Sequence, residues 1–106
     1  MSALLAQIQV SVANGEMIIS EHAYDRIAEN DIDAHEIEAG AAEAAAIEEY
    51  PDFHKGPSLL VIQLDRRGKP IHVVWGLRKG TSSPAVVVTA YRPDPTLWSD
   101  DFRRRR

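Results

Sequence analysis

Two histidines lie near arginines at spacings that suit acid–base chemistry on a phosphate. His22 and Arg26 are four residues apart in a predicted helix, so their side chains lie on one face. His72 and Arg78 stand at even spacing in a predicted strand, which also places them on one face. Histidine exchanges protons near neutral pH, and arginine binds phosphate through paired N–H groups. These residues therefore indicate a site for phosphate-ester chemistry.

The sequence offers little for metal or thiol chemistry. It contains no cysteine, which excludes disulfides, thiolate nucleophiles and thiolate zinc sites. His22 and Asp25 are poorly spaced as a ligand pair, and the chain has no His-x-x-x-His or His-Glu-x-x-His run. We therefore expect a metal-independent activity that uses no cofactor.

Charge divides the chain into two unlike halves. Residues 1–52 contain twelve acids and one base, a net charge of −11, whereas residues 53–106 contain four acids and eleven bases, a net charge of +7. Two interpretations stay open: a solvated acidic surface with a disordered basic end, or an interaction surface. We expect residues 1–102 to form a single domain and residues 103–106, all arginine, to form a basic disordered tail.

The hydropathy of the chain indicates a protein of the cytoplasm. No apolar run approaches the roughly 18 residues of a membrane span, and no basic segment precedes an apolar one at the N-terminus. We therefore expect no membrane association and no signal peptide.

Helical patterns fill the first half of the chain. Apolar residues recur on one face over residues 2–13, although alternation within residues 8–12 leaves a strand as the competing interpretation. Ser20 fits the N-cap of a second helix that runs to about residue 30, with Ala23, Ile27 and Tyr24 as its inner face. The Asp33 to Glu36 spacing of a capping box predicts a third helix to about residue 45.

Strand patterns fill the second half. We expect a strand over residues 46–50 and a loop over residues 51–58, and then three strands over residues 59–64, 71–77 and 85–91. Residues 97–98 should fold back against the domain. This order predicts an α+β fold, with two to three N-terminal helices on one face of a curled three- to four-stranded antiparallel sheet.

Alternation along the predicted strands gathers polar side chains on one open face. His72, Arg78, Thr89 and Tyr91 share this face, with Gln63 nearby, while the wholly apolar faces turn toward the helices. Neighbouring side chains on one face of an antiparallel pair lie within about 5 Å of each other. A histidine, an arginine, a hydroxyl and a phenol are therefore expected to meet on one surface.

Four separated motifs resemble the domain of unknown function (DUF) 4258 family. They are Ile19-Ser-Glu-His-Ala-Tyr-Asp-Arg26, Ile47-Glu-Glu-Tyr-Pro51, Pro70-Ile-His-Val-Val74, and Thr89-Ala-Tyr-Arg-Pro-Asp94 with Trp98. The resemblance spans about residues 3–98. It implies the barnase, colicin and RelE-like group of small ribonuclease folds, with helices on a curled sheet and an active site on that sheet.

The resemblance also implies a function and a set of site residues. Several members of that group are toxins of toxin–antitoxin pairs that cut RNA without a metal. The family's polar motif residues correspond to His22, Arg26, His72, Thr89 and Tyr91 as the candidate catalytic set.

Two functions remain open at this point. In the first, the protein is a ribonuclease in which Arg78, Lys79 and Arg92 bind the RNA phosphates. In the second, it is a non-catalytic interaction module with a degenerate site, partnered by an antitoxin or another protein. The histidines and ion-paired arginines of such a module would be structural. The sequence predicts no particular oligomeric state.

Overall fold

The computed structural model describes residues 2–106 and contains three helices, a short 3-10 turn and five strands. Within this range no helix is long and apolar enough to cross a membrane. The predicted α+β class is confirmed. The elements are α1 (Ala3–Ala13), β1 (Met17–Ile19), α2 (Glu21–Glu29), α3 (Ala34–Gly40), the 3-10 turn (Ala41–Glu43), β2 (Ala45–Tyr50), β3 (Ser58–Leu64), β4 (Pro70–Gly76) and β5 (Ala85–Tyr91).

The five strands form one mixed sheet in the order β1-β5-β4-β3-β2. Strands β2 to β5 pair antiparallel with their neighbours, whereas β1 pairs parallel with β5. The prediction of a purely antiparallel sheet with three to four strands was therefore wrong. Residues 17–19 look like a short link in the sequence, but Met17 pairs with Ala85 and Ile19 with Val87.

All three helices pack on one face of this sheet. Their buried apolar side chains, such as Ile8 in α1, Ile27 in α2 and Ile37 in α3, meet those of the central strands. Tyr24 was predicted to join this core, but it is 58% exposed. The sheet contributes Leu59, Val61, Ile71, Val73, Trp75, Ala85, Val87 and Ala90.

Gln63 lies on the helix side of the sheet rather than on the open face where the sequence placed it. Its side-chain oxygen accepts a hydrogen bond from the Trp75 indole at 2.8 Å, and its amide donates to the Ile37 carbonyl at 2.9 Å. Both partners are buried, so Gln63 satisfies two polar groups inside the core.

Strand β1 pairs with the first three residues of β5, and helix α2 lies beside the remainder of that strand. At the junction the Ser20 backbone N–H donates to the Val87 carbonyl, and the Ser20 hydroxyl accepts from the Ala23 N–H at 3.1 Å, which confirms the predicted N-cap. At the far end of the helix, the Arg92 N–H donates to the Asn30 side chain. The helix therefore runs beside β5 from start to end.

A bulge at Val88 alters the alternation of β5. Val87 pairs with Trp75 and Thr89 with Val74, which leaves Val88 as an extra residue. The Ser20 hydroxyl donates to the carbonyl of Val88 at 3.1 Å. Simple alternation placed Val87 on the face of Thr89, but the bulge turns Val87 into the core.

Residues 93–106, which we call the C-terminal strap, fold back over the open face of the sheet. Trp98 is only 4% exposed, as expected of a residue that folds back. Within the predicted basic tail, Arg105 forms a bridge with Trp98 and pairs with Glu48 at 2.9 Å. Arg106 pairs with Asp100.

The two N-cap serines provide a matched test of the α2 junction. Ser2→Ala removes only the cap of α1, where the Leu5 N–H donates to the hydroxyl, and is expected to cost about 1 kcal/mol. Ser20→Ala removes a similar cap and also the donor to Val88, so its cost should be about 1 kcal/mol larger. Urea denaturation measures both, and equal losses would contradict a double role for Ser20.

Candidate functional site

An open cleft of about 890 Å³ lies where the start of α2 faces the end of β4. The floor is the outer surface of the sheet, and one wall is the loop that joins β2 to β3. Ser20, Glu21, His22, Phe53, Lys55, Gly56, Ser58, Gly76, Leu77, Arg78, Val86 and Val88 line it.

Two glycines allow the β2–β3 loop to pack closely against the end of β4. Gly56 has a φ of +133° and packs so tightly that a Cβ there would overlap the carbonyl oxygen of Leu77. A Cβ at Gly76 would lie 2.8 Å from the Ser58 hydroxyl. The Leu77 N–H donates to the Pro57 carbonyl at 3.0 Å, which fixes the loop beside the strand. The close approach carries Lys55 to the same cleft as Arg78.

The cleft combines cationic, proton-transferring and aromatic groups. Lys55 and Arg78 are exposed, and neither takes part in an ion pair among residues 2–106. His22 is exposed at the first turn of α2, where the helix dipole favours an anion. Phe53 adds a half-buried ring, packed against His54 with 4.6 Å between the ring centroids. Glu21 contributes the acid of the cleft.

The second predicted histidine, His72, is fully buried under the C-terminal strap. Its Nε2 lies 2.8 Å from the Phe102 carbonyl, which can only accept, so this nitrogen carries the proton. Its Nδ1 lies 3.3 Å from the Tyr91 hydroxyl, and the edge of its ring meets Trp98 with 4.5 Å between centroids. Burial lowers the pKa of His72 below its usual value, and the nearby charge of Arg105 lowers it further, against the opposite effect of the Phe102 carbonyl.

Tyr91 links His72 to helix α2. Burial raises the pKa of its phenol, whereas the positive charges of Arg105 and Arg26 act in the opposite direction. Arg26 itself pairs with Glu29 at 3.6 Å. His72 and Tyr91 are direct cross-strand partners, as the predicted common face requires.

Strand β2 adds a carboxylate and a phenol that the sequence interpretation missed. The Arg105 guanidinium and the Tyr50 hydroxyl both donate to Glu48, and the Arg105 bond is the main reason why the pKa of that carboxyl is low. Burial, together with this carboxylate, raises the pKa of Tyr50 to about 12. Arg105 also lies 4.8 Å above the Trp98 ring. The even spacing of residues 48 and 50 in a predicted strand could have indicated that their side chains lie on one face.

The predicted site residues thus fall into separate groups. His22 and Arg78 line the open cleft, and Lys79 is exposed next to Arg78. His72 lies beneath the strap with the partly buried Tyr91 beside it, and Thr89 lies between the two regions, opposite Val74. Arg92 is at the far end of the sheet, where it pairs with Asp65 at 3.0 Å and donates to the Pro70 carbonyl.

Residues 2–106 contain no cluster of three or more histidine, aspartate or glutamate side chains arranged to hold a metal ion.

Residues 19–92 match the family described as Domain of unknown function (DUF4258). The match covers more than half of the chain, and the protein belongs to this family. It is narrower than the resemblance over residues 3–98, and it ends where the strap begins. No curated protein and no solved structure matches the chain.

The protonation of His72 gives a pH-dependent prediction. Because the folded protein disfavours the charged imidazole, the unfolded chain binds more protons below about pH 6.5, and the free energy of unfolding should fall as the pH falls through this range. An NMR titration of the imidazole should give a midpoint below 6.5. A midpoint above 6.5, or a contribution to stability that grows on acidification, would contradict the buried position.

Proposed function

We propose that the protein is a metal-independent endoribonuclease that binds single-stranded RNA in the cleft between α2 and the β2–β3 loop. The main support is the meeting of His22 and Arg78 in one open cleft, together with Lys55 and Phe53. Two unpaired cations suit a phosphate, and an accessible aromatic ring suits an unstacked base.

The chemistry proposed is attack by the RNA's own 2′-hydroxyl. One of the two titratable groups, Glu21 or His22, takes the 2′-OH proton as that oxygen bonds to phosphorus. The bond from phosphorus to the 5′-oxygen breaks, and the other group supplies the proton that this oxygen takes up. The products are a 2′,3′-cyclic phosphate and a 5′-hydroxyl. Arg78 and Lys55 stabilise the additional negative charge on the phosphate oxygens.

The two cations of the cleft come from the basic half of the chain and favour an anionic ligand such as RNA. The second half of the chain, which supplies Lys55 and Arg78, carries a net charge of +7, whereas the first half carries −11. Positive side chains that contact phosphates release counterions, so the affinity should fall steeply with salt. A role as the toxin of a toxin–antitoxin pair follows from the family resemblance and is part of the same proposal.

The position of His72 favours a second candidate, a non-catalytic interaction module. His72, part of the predicted catalytic set, is covered by the strap and bonded to Phe102 and Tyr91 within the protein. A module of this kind would bind RNA or an acidic partner in the cleft and would leave it intact.

Cleavage of a single-stranded RNA in EDTA tests the proposal directly. Wild type should release fragments with 2′,3′-cyclic phosphate ends and should leave the all-deoxy oligonucleotide intact. His22→Ala should lower the rate about 100-fold or more, because it removes one partner of the proton transfer. His35→Ala is the matched control, since His35 is exposed on α3 outside the cleft.

Binding provides the companion measurement. Arg78→Ala should weaken RNA affinity and reduce the dependence on salt by about one phosphate contact. Arg67→Ala, which removes an exposed arginine from the β3–β4 turn, should leave both unchanged. RNA bound in the cleft without cleavage would support the second candidate. Equal rates for His22→Ala and His35→Ala would overturn the catalytic proposal.

A further inference from the structure

The C-terminal strap is held together mainly by its own hydrogen bonds. The Ser99 N–H donates to the Arg104 carbonyl at 2.7 Å, and the Arg106 N–H donates to the Leu97 carbonyl at 2.9 Å. The Ser99 hydroxyl donates to Asp101 at 2.6 Å. The strap is therefore a small folded unit, and because so short a segment is at best marginally stable by itself, its amides should exchange faster once it leaves the sheet.

A few contacts join this unit to the sheet. His72 donates to the Phe102 carbonyl, Glu48 accepts from Arg105, and Trp98 covers the His72 ring. The chain before the strap is fixed separately, because Arg92 is bonded to Asp65 and Pro70. Pro93 and Pro95 follow, so the strap has a defined point of attachment.

Three features mark the strap as separable from the domain. Trp98 is buried, but it lies outside the core that the helices form with the sheet. Phe102 has a φ of +60°, a strained conformation for a residue with a side chain, at the position whose carbonyl meets His72. The family match ends at Arg92, immediately before the strap begins.

The strap contacts the sheet through a flat ring and a carbonyl, which are groups that a nucleobase also has. Trp98 supplies a flat ring, with a guanidinium above it, and the Phe102 carbonyl supplies an acceptor for the His72 N–H. A pyrimidine or purine combines a flat ring and a carbonyl in one molecule, and RNA-binding proteins stack such rings on aromatic and arginine side chains. Beneath the strap His72 provides a donor, and the Tyr91 ring lies beside it.

The surface beneath the strap and the cleft lie along the same two strands, β4 and β5. His72 pairs with Tyr91, and four residues further along β4 Gly76 pairs with Val86, which lines the cleft. At about 3.3 Å per residue, the two regions are roughly 13 Å apart. A single strand of RNA can therefore reach both.

We propose that the surface beneath the strap is a base-binding subsite of the same RNA site, which the strap occupies until RNA displaces it. This inference rests on the proposed function, because it requires RNA in the cleft. RNA phosphates compete with Glu48 for Arg105, and Arg103 and Arg104 are exposed to the same anion. The strap thereby lowers the affinity of the free protein by the fraction of molecules in which it is closed.

Two neighbouring glutamates make the release of the strap testable. Glu48→Gln weakens the bond to Arg105, whereas Glu49→Gln removes an equal charge from an exposed residue of the same strand. Hydrogen exchange at the Ser99 and Phe102 amides reports opening, and fluorescence anisotropy with a labelled single-stranded RNA reports affinity. Glu48→Gln should accelerate exchange and tighten RNA binding about 3- to 10-fold relative to Glu49→Gln. In wild type, added RNA should itself accelerate exchange in the strap.

Trp98→Ala is the second variant, because it empties the subsite without a change of charge. It should also tighten binding, with circular dichroism to check that the sheet stays folded. Faster exchange with no gain in affinity, or a strap that stays protected when RNA is bound, would overturn the subsite. Equal exchange in Glu48→Gln and Glu49→Gln would also contradict the proposed contact. If Arg78→Ala binds RNA as tightly as wild type, the proposed function itself fails.

Discussion

The hydrogen bonds of Ser20 set the geometry on which the rest of the molecule depends. Its hydroxyl accepts from the first turn of α2 and donates to the carbonyl at the Val88 bulge, while its N–H continues the pairing of β1 with β5. One residue thus ends a strand, begins a helix and satisfies a carbonyl that the bulge leaves free. As a result α2 lies along β5, and His22 in its first turn borders the open face of the sheet.

The open face then divides into two regions with different access. At one end Gly56 lets the β2–β3 loop pack on Leu77, which leaves a cleft with two unpaired cations. At the other end the strap buries His72, whose ring can be covered because both nitrogens find partners. The proposed function uses the first region, and the proposed subsite joins the second to it. The acidic helices of the first half serve chiefly to complete the core.

Local patterns in the sequence were enough to predict most of the elements. The N-cap at Ser20, strands β2 to β5 and the common face of His72 and Tyr91 all follow from short-range spacing. The bulge at Val88 was not predictable, because a run of valines shows no break in alternation. Strand β1 was missed because its parallel pairing with β5 is long-range. The fold-back at Trp98 was predicted, but the ion pair of Arg105 was not, because a run of arginines looks solvated and only the fold brings Arg105 to Glu48.

Chemical-shift mapping with a labelled protein and a short, non-cleavable single-stranded oligonucleotide tests the central claim most directly. The account predicts that the largest shifts fall on His22, Gly56 and Arg78, that they weaken as salt is raised, and that shifts in the strap follow. Shifts confined to other surfaces, or no binding at low salt, would contradict a nucleic-acid site in the cleft.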